Sequence, residues 1–226
     1  MSLKLYYHPL SSYCHKALIA LYESGVPFEP VFINLGDDKE RALLQSLWPV
    51  TKFPVLRDEG RGQTIAEATV IIDYLDAYHT GEQRLVPRDI DGAWQTRMWD
   101  RFFDLYLHEP MQKVVGDCLR PAGEQDPFGV SQAKDRIEQA YAIIDKEMAG
   151  KTWWLGDNFG LVDCAASPSL FYANTVFPIA SSLRHLRGYF ERLMTRPSYA
   201  RVLEEAEPYF NMFPMEPKPV RLLAAA

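Results

Sequence analysis

Within the first eighty residues the apolar spacing switches repeatedly between period two and period 3.6, and beyond them it never returns to two. Leu3-Lys4-Leu5-Tyr6-Tyr7 alternates and is rich in aromatics, which predicts a strand. Cys14, Ala17, Leu18 and Leu21 then recur at i, i+3, i+4 and i+7, the face of a helix that Gly25 stops. Val26-Pro27 opens an extended run through Val31-Phe32-Ile33, and a short helix is expected over Lys39–Leu47, ended by Pro49. Two short strands, Pro54–Arg57 and Gln63–Ile65, flank the turn Asp58-Glu59-Gly60. A helix with Ala68, Ile71, Ile72 and Leu75 on its buried face closes the segment. The order is therefore β-α-β-α-β-β-α in about eighty residues, an α/β arrangement.

The remaining patterning is helical. Residues 81–92 turn to Gly, Pro and charge and are read as a linker. Phe102, Phe103, Tyr106 and Leu107 line one helix, whose regular part Pro110 kinks or ends. A second carries Ile137, Ala140, Tyr141, Ile144 and Met148, with Ser131 as its expected N-cap. Further helices follow Asp163, Leu183 and Tyr199, and the Pro-rich tail from Asn211 is expected to be irregular. The fold class is therefore α/β plus all-α, with an N-terminal domain at 1–80 and an all-helical domain at 93–226.

Composition narrows the function classes. The chain has 226 residues, 47% hydrophobic, with a net charge of −6, so a nucleic-acid partner is not expected. Three scattered cysteines, Cys14, Cys118 and Cys164, form neither a CxxC pair nor a disulfide framework. The five histidines lack HxxxH or HExxH spacing, so no metal is expected. Residues 164–183 carry no charge, but Pro168, Asn174 and Pro178 interrupt them, which favours a buried core helix over a membrane span. The N-terminus shows no signal-peptide core, and the expectation is a soluble, cytoplasmic protein.

Four local patterns, Ser11–Lys16, Pro49–Leu56, Ile65–Thr69 and Leu155–Asp163, stand in order along almost the whole chain, and together they resemble the cytosolic glutathione transferase family. Ser11-Ser12-Tyr13-Cys14-His15-Lys16 opens the first helix, where that family places a catalytic Ser, Tyr or Cys. Pro49-Val50-Thr51-Lys52-Phe53-Pro54-Val55-Leu56 is similar to its N-P-x-G-K-V-P-x-L segment, and Ile65-Ala66-Glu67-Ala68-Thr69 to its E-S-x-A-I helix start. Leu155-Gly156-Asp157 through Asp163 resembles the block that begins a buried helix of its second domain. Thr51 stands where the family usually has Gly, and Ala68 where it usually has Ser.

The resemblance implies a thioredoxin-like first domain that binds glutathione as co-substrate, a C-terminal helical bundle, a homodimer, and attack by the glutathione thiolate on a small apolar electrophile. The free thiol is only a few per cent ionised near pH 7. A hydroxyl donor beside a helix N-terminus supplies the missing stabilisation. Counted as S-x-x-C back from Cys14, that hydroxyl is Ser11; counted as P-x-x-C from Pro9, it is Ser12; the first register is preferred. On the residues alone both serines also suit N-capping.

The resemblance further implies a cis Phe53–Pro54 bond that presents the Phe53 backbone to the cysteinyl unit. Glu67 and the Ala68 N–H would hold the γ-glutamyl end, and Lys52 the glycyl carboxylate. Leu10, Tyr13, Phe103 and Tyr106 are expected by position to wall the electrophile site. Competing functions are a glutathione-dependent isomerase or dehalogenase and a non-catalytic binding protein of the same fold.

Overall fold

The computed structural model describes residues 3–79 and 84–222, so residues 81–83 of the expected linker and 223–226 of the tail lie outside the described residues. Strands β1 (Leu3–Tyr7), β2 (Phe28–Phe32), β3 (Val55–Asp58) and β4 (Gln63–Ala66) form one sheet in the order β2-β1-β3-β4. β1 pairs parallel with β2 and antiparallel with β3, and β3 pairs antiparallel with β4. The alternation in β1 divides the first domain into two layers. Leu3 and Leu5 enter the main core with helices α1 (Ser12–Ser24) and α3 (Ala68–Tyr78), while Tyr6 joins Ile33, Leu44 and Val55 under α2 (Asp38–Leu47). Gly25 ends α1 in the left-handed region, at φ 63°, where a Cβ would be strained.

The helical part comprises α4 (Ile90–Phe102), a π-helical turn (Phe103–His108), α5 (Glu109–Asp117), α6 (Pro127–Glu147), α7 (Leu161–Val176), α8 (Arg184–Thr195) and α9 (Pro197–Ala206). A 3₁₀ turn, Glu207–Met212, precedes an irregular tail, as the prolines there imply. α4 starts at Ile90, inside the stretch read as linker. The Asp89 carboxylate accepts from the Gly92 N–H at 2.6 Å, an N-cap that a Gly-, Pro- and charge-rich sequence concealed. α6 likewise starts earlier than Ser131, because Asp126 caps it and Pro127 takes the first helical turn. Pro110 sits in the first turn of α5, directly after the π-helical turn, and the helix continues through both.

α1 is buried on nearly all sides because α3 packs on one flank and α7 and α9 on the other. Its apolar residues lie in the same core as those of the helical part. Polar ties cross the same seam. Lys16 on α1 is 1% exposed, and its Nζ lies 2.5 Å from Asp100 Oδ1, 3.2 Å from Asp104 Oδ1 and 2.9 Å from Thr69 Oγ1. The Tyr172 hydroxyl donates to the Leu10 carbonyl at 3.0 Å, and Arg196 pairs with Glu23 through two bonds of 2.7 and 2.8 Å. Lys16 and Leu10 thereby hold the N-terminal end of α1 against both halves of the chain, and Glu23 holds its C-terminal end. Among the described residues no helix is long and apolar enough to cross a membrane.

Candidate active site

The loop ahead of α1 is fixed by two bonds: His8 Nδ1 accepts from the Leu10 N–H at 3.2 Å, and the His8 carbonyl accepts from the Ser11 N–H at 3.0 Å. Ser11 is the N-cap, its Oγ accepting from the Cys14 N–H at 3.3 Å. Capping uses a lone pair of the hydroxyl, so its hydrogen is left for an acceptor in the groove, with the Cys14 sulfur as its other neighbour. That sulfur is a weak competitor and no thiolate, since burial pushes the Cys14 thiol up to about 12.

Ser11 lines a cleft of about 360 Å³ with Tyr13, Lys52, Phe53, Glu109 and Gln112. A second cleft of about 340 Å³ shares Tyr13, Lys52, Phe53 and Glu109 and continues to Pro54, Glu67 and Ala68, with Arg101 on its wall. The two form one groove from the α1 N-terminus to the α3 N-terminus. Phe53–Pro54 is cis, and among the described residues no hydrogen bond engages the Phe53 backbone. Glu67 holds φ 69°, a region a non-glycine residue occupies only when its surroundings impose it. Its side chain makes no cap bond, which leaves both the carboxylate and the first N–H groups of α3 to a ligand. Thr51 stands at φ 57°, which gives a physical reason for the glycine usual there.

Ser12 occupies different ground. It is 4% exposed, and its Oγ lies 2.7 Å from Nε2 of His108, a buried residue of the π-helical turn. The Ser169 hydroxyl donates to the Ala165 carbonyl at 2.7 Å and so offers only a lone pair to His108 Nδ1, 3.4 Å away. That favours the Nδ1–H tautomer, with Nε2 accepting from Ser12 and from the Gln112 amide at 3.1 Å. Burial, with Lys16 and His15 nearby, lowers the His108 pKa to about 3, so the ring is neutral. The Tyr13 ring stacks on it at 4.1 Å, and burial, seconded by Asp104, raises the Tyr13 hydroxyl pKa, which keeps it protonated.

Ser12, Leu10, Met111, Val115, Tyr172 and Phe213 wall a predominantly apolar hollow of about 190 Å³. Gln112 stands on the lip between this hollow and the Ser11 cleft.

The expected wall residues divide accordingly. Leu10 lines the hollow and Tyr13 the groove. Phe103 does neither: it is fully buried and packs edge-on to Trp154 at 4.8 Å, which makes it a core residue. Tyr106 is 56% exposed and lies outside all three cavities. The helix changes its winding at Phe103–His108, so the periodicity of α4 does not carry through to these side chains. In their place the structure brings Arg101, Glu109 and Gln112 to the groove and His108 behind it. No local pattern marks His108, whose partner Ser12 is 96 residues away. Among the described residues no group of His, Cys, Asp and Glu could hold a metal ion.

Residues 5–83 match the family profile "Glutathione S-transferase, N-terminal domain", and residues 127–192 match "Glutathione S-transferase, C-terminal domain". Glutathione S-transferase U22 of Arabidopsis thaliana is 31% identical over 197 residues, spanning 85% of each chain. The chain belongs to the glutathione S-transferase family. A solved transferase of Methylobacterium radiotolerans, in complex with glutathione sulfonate, is 27% identical, with a TM-score of 0.77 over 89% of this chain and 94% of that one. A transferase of Methylobacillus flagellatus, solved with glutathione bound, superposes with a TM-score of 0.80 over 88% and 98%. At 23% identity, that likeness speaks for the fold. The four-stranded mixed sheet followed by helices is the thioredoxin-like plus helical arrangement of this family.

Proposed function

We propose that this transferase binds glutathione along the groove between α1 and α3, ionises its thiol beside Ser11, and directs the thiolate at a small apolar electrophile in the neighbouring hollow. The division of labour follows the groove. Glu67 accepts from the γ-glutamyl ammonium, and the Ala68 N–H and its neighbours at the α3 N-terminus face the α-carboxylate. The Phe53 backbone pairs with the cysteinyl unit as a strand would. Lys52 meets the glycyl carboxylate. The sulfur then falls at Ser11, where a hydroxyl hydrogen and the α1 N-terminus both favour the anion.

The observation that carries this reading is the separation of the two serines. Ser11 faces the groove that holds Phe53 and Glu67, while the Ser12 hydroxyl is engaged by His108. The hollow, at about 190 Å³, lies below the roughly 300–1,000 Å³ of drug-sized sites, which suits a small electrophile. Ser11→Ala should cut conjugation kcat/KM by roughly 10²-fold, the loss of one charge-assisted hydrogen bond of about 1.5–3 kcal/mol. Loss of turnover in Ser12→Ala with Ser11→Ala intact would reverse the assignment. The liganded relatives add support for glutathione as co-substrate, for they bind glutathione or its sulfonate.

The functional unit is taken to be a cytoplasmic homodimer. Ile90, Trp94 and Met98 recur at i, i+4 and i+8 along α4, each at least 47% exposed, and Arg97 reaches from that helix toward Asp73 of α3 at 3.6 Å. An exposed apolar stripe at helical spacing is the mark of a surface that another chain covers. Three free cysteines, two of them buried, fit a reducing compartment.

A further inference from the structure

We infer that Arg101 selects the thiol substrate by its α-amino-acid head group, pairing its guanidinium with the γ-glutamyl α-carboxylate beside the N-terminus of α3. The inference deepens the glutathione reading above and rests on it. The α3 N-terminus carries no side-chain cap, so its first N–H groups favour an anion. Yet acid already surrounds it. Thr69, the second residue of α3, donates to Asp100 Oδ2 at 2.9 Å, and Asp104 lies in the wall of the cleft that holds Glu67 and Ala68. Lys16, 2.5 Å from Asp100 and 3.2 Å from Asp104, offsets one of the two aspartates. With Glu67 added, three carboxylates stand against one buried ammonium. A ligand carboxylate set beside them needs a further cation.

Lys52 and Arg101 both line this cleft, but Lys52 also lines the Ser11 cleft, whereas Arg101 stands only with Glu67 and Ala68. The Arg101 side chain is 57% exposed, and its Nη1 donates to Asp104 Oδ2 at 3.2 Å. Among the described residues that is its one side-chain bond, which leaves most of the five N–H donors of the fork for a ligand. A guanidinium takes a planar carboxylate through two parallel bonds. Asp104, 9% exposed and tied to Lys16, acts as a positioning residue that fixes one edge of the fork. An α-amino acid then places its ammonium on Glu67 and its carboxylate on Arg101, so each charge of the head group meets its opposite. A thiol without that carboxylate leaves Arg101 unmatched.

The test measures dissociation constants by titration calorimetry on the full-length protein. The probes are glutathione, γ-aminobutyryl-cysteinylglycine, which lacks only the α-carboxylate, and glutaryl-cysteinylglycine, which lacks only the α-ammonium. Wild type, Arg101→Met and Arg101→Lys are compared, and melting temperatures check that each variant is folded. In Arg101→Met, glutathione and the glutaryl peptide should each bind roughly tenfold more weakly. The aminobutyryl peptide, weak or without measurable binding in the wild type, should change by less than about twofold. Arg101→Lys should recover part of the loss, since an ammonium keeps the charge without the fork. An Arg101 that merely supports the fold would weaken all the peptides alike. That result, or a glutathione affinity within about twofold of wild type in Arg101→Met, would overturn this inference and leave the glutathione reading standing. A wild type that binds the aminobutyryl peptide as tightly as glutathione would do the same. Failure of the wild type to bind glutathione at all would defeat that reading, and this inference with it.

Discussion

Replacing Lys16 with Met should destabilise the protein by about 3–5 kcal/mol near neutral pH, the cost of removing one partner from a buried ion cluster. The side chains involved are 2% (Lys16), 1% (Asp100) and 9% (Asp104) exposed, so solvent cannot replace the lost cation. Asp100 and Asp104 would face each other with only the Thr69 hydroxyl and Arg101 to offset their charge. Against a typical stability of about 5–15 kcal/mol this is about a fifth of the total or more.

The loss should also depend on pH. Burial already raises the Asp104 pKa, with Lys16 opposing that shift and Asp100 adding to it; removing Lys16 raises it further. A carboxyl whose folded pKa lies above its unfolded value stabilises the fold in its protonated form. The deficit should therefore shrink as pH falls through the folded pKa, and be smaller near pH 5 than near pH 7.5. Urea unfolding of wild type and Lys16→Met at both pH values, at one protein concentration, measures it. Adding Asp104→Asn to the variant should recover part of the loss. A deficit below about 1 kcal/mol, or one equal at the two pH values, would refute a desolvated ion cluster joining α1 to α4 and the π-helical turn.

Thr51→Gly should stabilise by about 0.5–1 kcal/mol, because relief of a left-handed β-branched residue outweighs the backbone entropy of glycine; thermal melting should rise by a few degrees. Tyr189→Phe removes a 2.6 Å bond to the buried Asp163 carboxylate, whose pKa burial raises to about 6. It should cost about 1.5–3 kcal/mol above that pH and less below it, where the carboxyl is neutral, and melting curves on either side of pH 6 check this. Trp94→Arg should convert a sedimenting dimer to the single-chain mass; a wild type that already sediments as one chain would refute the assignment of the α4 stripe.

Much of the first domain was legible because its signals are local. Alternation in β1, the i, i+3, i+4 face of α1 and Gly25 each act within a few residues and appear where the spacing predicted them, while the cis Phe53–Pro54 bond was expected only from the family resemblance. Ser11 was legible as a helix start but not as distinct from Ser12. That distinction comes from His108, brought up by the packing of the π-helical turn against α7. Phe103 and Tyr106 misled because a change of winding between α4 and α5 rotates their side chains relative to a regular helix. Lys16 carries no sequence mark of burial. Its partners at 100 and 104 are one helical turn apart, an ordinary surface spacing until α1 covers them.

The central claim, that Ser11 holds glutathione as a thiolate, is tested most directly by titrating the ultraviolet thiolate absorbance of glutathione bound to the wild type, Ser11→Ala and Ser12→Ala. The account predicts a bound-thiol pKa well below the free value of about 8.5 in the wild type. It should rise by about one to two units in Ser11→Ala, which corresponds to about 1.4–2.7 kcal/mol of lost preference for the anion. Ser12→Ala should leave it close to the wild-type value. A pKa unmoved in Ser11→Ala, or one that rises only in Ser12→Ala, would contradict the account.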